Sequence, residues 1–442
     1  MTEKTKLNCS FCGVEQSPDT PLISGNNGYI CSACVELAHQ VVNSWGQSAK
    51  RAALAETLRV PKEIKAHLDQ YVIGQDGAKE ILAVAVYNHY QRLINLSRNG
   101  SLHDADQAVE LEKSNVLMAG PSGTGKTLLV KSLARVIGVP FVVADATTLT
   151  QAGYVGDDVD IILRRLVDAA GGDIQRAQCG IVYIDEVDKL AHKGMGAAAT
   201  RDVSGEGVQQ ALLKMVVGNE VKLPKRGRRH DGGDEMIDTT NILFIVGGAF
   251  PGLEELVRKR LSPEKGGIGF QASFVEDVRH SHDQLLAALQ PDDLQGFGLI
   301  PEFIGRFPVI TFLHELDTDA LVRVLTEPRN SLVKQYSQLF AYQGVELGFT
   351  DAALQRIAEL ACARGTGARG LRSILESVLR HTMYHMPSNP QLKKALVDRE
   401  QADGVNELIV REVLDEERKA LAEQAPPALE ALPIGSASVL RS

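Results

Sequence analysis

Two stretches of this sequence have the residue types and spacing for phosphate chemistry. Gly120-Pro121-Ser122-Gly123-Thr124-Gly125-Lys126-Thr127 fits the pattern G-x-x-x-x-G-K-S/T, after an apolar run and before an amphipathic one. In that setting the glycines let backbone amides turn toward phosphate oxygens, and a helix N-terminus adds the positive end of its dipole. Lys126 is expected to reach the β- and γ-phosphates and Thr127 to offer its hydroxyl to Mg2+. The second stretch is Ile181-Val182-Tyr183-Ile184-Asp185-Glu186, an apolar run ending in two carboxylates. Asp185 is expected to hold Mg2+ through water, and Glu186 to orient or deprotonate the attacking water, a contribution of roughly 10²–10⁴-fold. Together they predict hydrolysis of ATP rather than binding alone.

A third cluster points to metal. Four of the six cysteines, Cys9, Cys12, Cys31 and Cys34, form two C-x-x-C pairs within the first 34 residues. A redox dithiol needs only one pair; two matched pairs suit a closed four-thiolate Zn2+ site with a structural role. So short a module buries too little apolar area to fold unaided, and ligation worth about 10–16 kcal/mol would replace the missing core. Cys179 and Cys362 stand apart in apolar or Ala-rich surroundings and read as small buried hydrophobes.

The elements that must position these groups follow from periodicity. Strand-like runs at 115–120, 140–146, 180–186 and 240–248 alternate with helical spacing, as in Leu129, Leu133, Val136 and Ile137. Near-continuous apolar strands between amphipathic helices predict an α/β fold with a parallel sheet covered on both faces. A helical stretch from Val60 to about Arg98 precedes it, and a mostly helical region spans about Glu315 to Pro387. The expected organisation is a zinc-binding module at 1–46, a linker at 47–60, a large P-loop domain at 61–314 and a small, mainly helical domain at 315–415. A tail rich in Ala, Glu and Pro at 416–442 is expected to be disordered.

Composition sets outer limits on the 442 residues: 44% hydrophobic and 23% charged residues suit globular domains. No apolar run is long enough to cross a bilayer, and the polar N-terminus has no secretory pattern, so a cytoplasmic location is expected. A formal charge of −9 argues against nucleic acid and anionic membrane as partners.

Beyond the phosphate and metal motifs, the segments YVIGQ, AVAVYNHY, ADATTLT, AGYVGDDV, RDVSGEGVQQALLK, GLIPEFIGR and GTGARGLRS stand between Cys9 and Pro387. In these the sequence closely resembles the ClpX family, the ATPase subunits of the Clp protease within the AAA+ superfamily. The resemblance implies a homohexameric unfoldase that draws tagged proteins through a central pore into the ClpP peptidase. It implies that Tyr154 and Val155 grip polypeptide and that Arg228, Arg229 and His230 receive acidic substrate tails. The family usually has Lys where Arg229 stands. Ile268, Gly269 and Phe270 would dock on ClpP, and the zinc module would read adaptor proteins. Arg306 would be the arginine finger acting on a neighbouring subunit, Arg369 the sensor-2 arginine, and Val72 and Ile73 the flanks of the adenine. No residue of DTTNILFIVGG stands out as sensor 1. The competing reading is a remodelling chaperone that works without a peptidase. A protease in its own right is disfavoured, because neither G-x-S-x-G nor H-E-x-x-H occurs.

Overall fold

The structure is a computed structural model that describes residues 7–17, 20–38, 55, 58–95, 111–150, 157–191, 205–223, 235–261, 285, 288–402 and 405–414. The chain divides into two compact units, Met1–Glu315 and Leu316–Ser442.

At the start of the first unit, β1 (Leu22–Ser24) and β2 (Tyr29–Cys31) form an antiparallel hairpin in the cysteine-rich segment. The centre of the unit is a five-stranded parallel sheet. Its strands are β3 (Val116–Ala119), β4 (Phe141–Asp145), β5 (Ile181–Asp185), β6 (Leu243–Gly248) and β7 (Val309–Phe312), in spatial order β7-β3-β6-β5-β4. Four of them lie within the apolar runs read from the sequence. The fifth, β7, was not anticipated, because four residues interrupted by a threonine carry little periodic signal.

Side chains alternate across the sheet between two apolar layers. Leu117, Val182, Ile184, Phe244 and Val246 pack with Ile162, Leu166, Val208 and Leu212 on one face. Val116, Met118, Ile181, Tyr183 and Ile245 pack with Leu82, Val86, Leu129 and Leu133 on the other. The second layer is formed by α1 (Pro61–Asp69), α2 (Asp76–Asn95) and α3 (Lys126–Ile137). What the sequence presents as one helical stretch from Val60 is broken between α1 and α2. There Tyr71, Val72 and Ile73 turn inward, and consecutive left-handed residues Gly74 (φ 62°) and Gln75 (φ 60°) end the helical path.

In the second unit, α4 (Thr318–Thr326), α5 (Leu332–Ala341), α6 (Asp351–Ala363) and α7 (Ala368–His385) surround Leu321, Phe340, Ile357 and Leu375. The side chains of Asp317, Ser331 and Thr350 accept from the third amide of α4, α5 and α6 and fix where each begins. A three-stranded sheet packs with these helices: β8 (Glu346–Phe349) runs parallel to β9 (Leu392–Ala402), which pairs antiparallel with β10 (Val405–Leu414).

Three basic groups gather where β6 begins: His89 and Arg92 are buried and Lys113 is half-buried. His89 donates from Nε2 to the Asn241 carbonyl at 3.2 Å. Lys113 donates to the carbonyls of Val216 (3.3 Å) and Thr239 (3.0 Å) and lies over the Phe244 ring. Burial first, and then the charges of Arg92 and Lys113, bring His89 down to about 3, while burial lowers Lys113 to about 7. Between pH 6.5 and 3 the unfolded chain therefore binds a proton at His89 that the native state refuses, so stability falls as pH drops through that window. The slope is at most about 1.4 kcal/mol per pH unit from this residue. Thermal melts between pH 7 and 5 should fall less steeply for His89→Gln, whose amide can keep the Asn241 bond. Equal slopes would show that His89 contributes nothing to acid sensitivity.

Candidate functional site

The phosphate loop links the C-terminal end of β3 to α3, where parallel strands leave an open crevice. At Gly120 (φ 149°) a Cβ would lie 2.5 Å from the Leu313 carbonyl, so the loop can leave the sheet only with hydrogen at this position. Gly125 (φ 99°) turns the chain into α3, and the Thr124 hydroxyl closes the loop on the Pro121 carbonyl at 2.9 Å. Lys126 is buried, with its ammonium on the carbonyls of Gly120 (2.6 Å) and Pro121 (2.9 Å). Ser122 is exposed at the loop's crest.

The acidic pair comes from β5, two strands across. Thr127 donates its hydroxyl to Asp185 Oδ2 at 2.7 Å, bringing the phosphate-loop threonine and the strand-end carboxylate together. Asp185 Oδ1 accepts from the Tyr183 hydroxyl (3.1 Å) and the Glu186 amide (3.0 Å). Glu186 sits in the left-handed region (φ 58°, ψ 30°), which is uncommon for a residue with a side chain and places its carboxylate on a sharp turn after the strand. This donor set fits a magnesium-bound triphosphate: one hydroxyl and one carboxylate in mutual contact, an ammonium on the loop, and a second carboxylate alongside.

On the side where the base is expected, Val72 and Ile73 are buried, and a Val72 methyl lies 3.8 Å from the position a Gly125 Cβ would take. Val72 is anchored by its carbonyl, which accepts from the fully buried Lys79 at 2.7 Å; Asp69 balances that charge at 2.6 Å.

Arg306 is exposed at the other end of the sheet. Its carbonyl accepts from the side chain of Asn115, the residue just before β3. At about 3.3 Å per residue, the strand separates that point from the phosphate loop by roughly 16 Å, so Arg306 and Lys126 are not brought together. Arg369 stands exposed in the first turn of α7, in the second unit. Tyr154, Val155, Arg228, Arg229, His230, Ile268, Gly269 and Phe270 lie outside the described residues.

In the N-terminal module, the Sγ atoms of Cys9, Cys12, Cys31 and Cys34 all lie within 4.8 Å of one another, with Cys12 and Cys31 at 3.6 Å. A tetrahedral Zn2+ with bonds of about 2.3 Å sets its sulfurs about 3.8 Å apart, so the set fits zinc. The Cys31 amide points at Cys9 Sγ (3.4 Å). The Cys9 thiol is lowered to about 6, chiefly by the Cys12 amide, while Cys34 is pushed up to about 12, chiefly by its hydrogen bond with Cys12. Four thiolates cannot coexist so closely without a cation among them.

Three supporting residues were not singled out from sequence. Asp188 is buried and accepts the Ala249 amide at 3.0 Å, tying the turn after Glu186 to the end of β6. Lys79 and Gln75 brace the base-side loop. The available signal was polar residues at inward-facing helical positions, as with Lys79 among Ala78, Leu82 and Ala83.

Three family models match the chain. An AAA domain (Cdc48 subfamily) matches residues 111–310, a ClpX C4-type zinc finger matches 7–44, and the C-terminal, D2-small domain of ClpB protein matches 316–397. The chain is 65% identical over 399 residues to the ATP-dependent Clp protease ATP-binding subunit ClpX of Azotobacter vinelandii, covering 90% of each. The chain belongs to the ClpX family. Another ClpX, from Methylococcus capsulatus, is 60% identical across 90% of this chain and 92% of its own; one from Borrelia duttonii is 47% identical across 90% and 91%. As a ClpX-family chain with an AAA domain it is an ATPase, and its four-cysteine module is a zinc finger. No helix among the described residues is long and apolar enough to cross a membrane.

Metal removal gives a direct check on the thiolate set. Mercurial titration of the purified chain should release about one zinc, and Cys9→Ser should abolish that release while ATPase turnover persists. Undiminished zinc in Cys9→Ser would remove that sulfur from the set.

Proposed function

We propose that this chain is an ATP-dependent unfoldase and translocase, working as a cytoplasmic homohexamer that passes tagged proteins to a ClpP peptidase. The observation that carries the catalytic part is the 2.7 Å contact between Thr127 and Asp185, with Glu186 on the adjoining left-handed turn. Gly120 to Gly125 present backbone amides to the phosphates, and Lys126 swings from its loop carbonyls onto the β- and γ-oxygens. Bound Mg2+ would neutralise developing charge on the phosphates, held by Thr127 and, through water, by Asp185. Glu186 orients the attacking water and accepts its proton. Val72 and Ile73 receive the adenine.

The hexamer reading draws support from Arg306. Held at the end of the sheet away from its own phosphate loop, it can serve as an arginine finger only toward another copy, where such a group is worth about 10³–10⁵ in rate. Arg369 would report nucleotide state from the small domain. Tyr154 and Val155 would grip substrate in the pore, with Arg228, Arg229 and His230 at its entrance. Ile268, Gly269 and Phe270 would dock on the peptidase, several weak contacts adding by avidity. The relatives' names carry the Clp protease connection. Adaptor binding by the zinc module is supported by exposed Phe11 and by exposed Ile23 on its hairpin.

Glu186→Gln should bind ATP within about twofold of the parent and lose roughly 10²-fold or more in turnover; normal turnover would strip Glu186 of its role. Replacing Ile268 and Phe270 with alanine should leave unfolding of a tagged, folded reporter intact and cut its ClpP-dependent degradation by roughly tenfold or more. Should the parent unfold the reporter yet never degrade it with ClpP present, the peptidase-independent chaperone is the better reading.

A further inference from the structure

Between the base-side loop and the phosphate loop lies a short piece of backbone, Leu313–His314, which with Glu315 leads the chain into the second unit. It is held from both sides. The Leu313 amide donates to the Ala119 carbonyl at 2.8 Å, and its own carbonyl occupies the space a side chain at position 120 would need. The next residue is gripped by Gln75: its Nε2 donates to the His314 carbonyl and its Oε1 accepts from the His314 amide, both at 2.8 Å. The side-chain amide thus pairs with His314 as a neighbouring strand would, extending the sheet by one residue at the end of β7. Gln75 is 6% exposed and spans 239 positions of sequence to make these bonds. It does so from a left-handed backbone, next to another left-handed residue, two positions after the inward-turned Val72 and Ile73.

We infer that Gln75 is a positioning residue that couples nucleotide occupancy to the segment leaving the first unit. The coupling follows from shared anchorage. Val72 is fixed to α2 through Lys79 and stands against Gly125, so a base inserted at Val72 and Ile73 loads the same loop from which Gln75 reaches. Phosphates settling on Gly120 load the other side of Leu313. Base and phosphates are therefore referenced to one peptide, and the Gln75 bonds join the two halves. A side chain that only filled space would not need a donor and an acceptor together at 2.8 Å; a carboxamide presents the two side by side as a peptide group does, only Gln and Asn carry one, and Asn is one methylene shorter. This inference rests on the nucleotide placement proposed above.

Hydrogen exchange read by mass spectrometry tests it in the full-length chain carrying Glu186→Gln, with and without saturating MgATP. ATP is expected to slow exchange in the phosphate-loop segment 116–130 and in the exit segment 309–317. Adding Gln75→Ala should leave the first protection in place at saturation and remove the second, with the ATP concentration for half-protection rising roughly fivefold. Gln75→Glu, which keeps the acceptor for the His314 amide and loses the donor, should fall between. A purely structural role would change exit-segment exchange equally with and without ATP. Retention of full ATP-dependent protection at 309–317 in Gln75→Ala, or its absence in the parent background while 116–130 is protected, overturns the inference. Absence of protection at 116–130 in the parent background instead overturns the nucleotide placement. Should Gln75→Ala melt below the assay temperature, Gln75→Glu decides, since loss of the donor alone must weaken the ATP-dependent difference.

Discussion

The close approach of Gly120 to the backbone of Leu313 is the constraint on which the nucleotide site depends. It lets the phosphate loop begin directly at the C-terminal end of β3, inside the sheet, so that the loop lies over the strand ends. With the loop there, Thr127 meets Asp185 across two strands, and the Glu186 turn falls beside both. Any side chain at position 120 would force the loop away from β7 and break this registry. Steric exclusion of a single methyl group, more than any attraction, therefore sets the geometry that phosphate chemistry uses.

Around that point the protein spends buried polar groups on holding backbone. Lys79 holds the Val72 carbonyl, Asp188 the Ala249 amide, Asn115 the Arg306 carbonyl and Gln75 both polar groups of His314. Each is a tie made to a loop or strand end that the sheet ladder leaves unpaired, where an unsatisfied group would cost about 1–3 kcal/mol. Loops that must receive a ligand are thereby kept in place without being packed into the apolar layers.

Much of this was legible in advance because the chemistry is local in sequence. Gly120–Thr127, Asp185–Glu186 and the paired cysteines announce themselves by spacing, and four strands by continuous apolar residues. What escaped was of two kinds. Short or polar-interrupted strands such as Val309–Phe312 and the sheet of the second unit take their identity from neighbours rather than from periodicity. Of the bracing residues, Gln75 and Asp188 act across long sequence separations, and a single sequence gives no hint that Gln75 and His314 meet; Lys79 acts closer by, on Val72 and Asp69. The break between α1 and α2 did carry a local hint, since Val72, Ile73 and Gly74 are weak helix formers, but apolar spacing on both sides masked it; Cys362, expected to be buried, is exposed.

The sheet also keeps Arg306 and the phosphate loop at opposite ends of one strand, and that separation has a consequence for mixtures. As the arginine finger proposed above, Arg306 would act on nucleotide only when the nucleotide belongs to another copy, and each isolated chain would have an incomplete reaction centre. Copies altered at Arg306 would then spoil sites they do not themselves contain. In assemblies blended from sound and altered chains, the damage would be distributed by adjacency, so that an altered chain can still turn over its own nucleotide beside a sound neighbour.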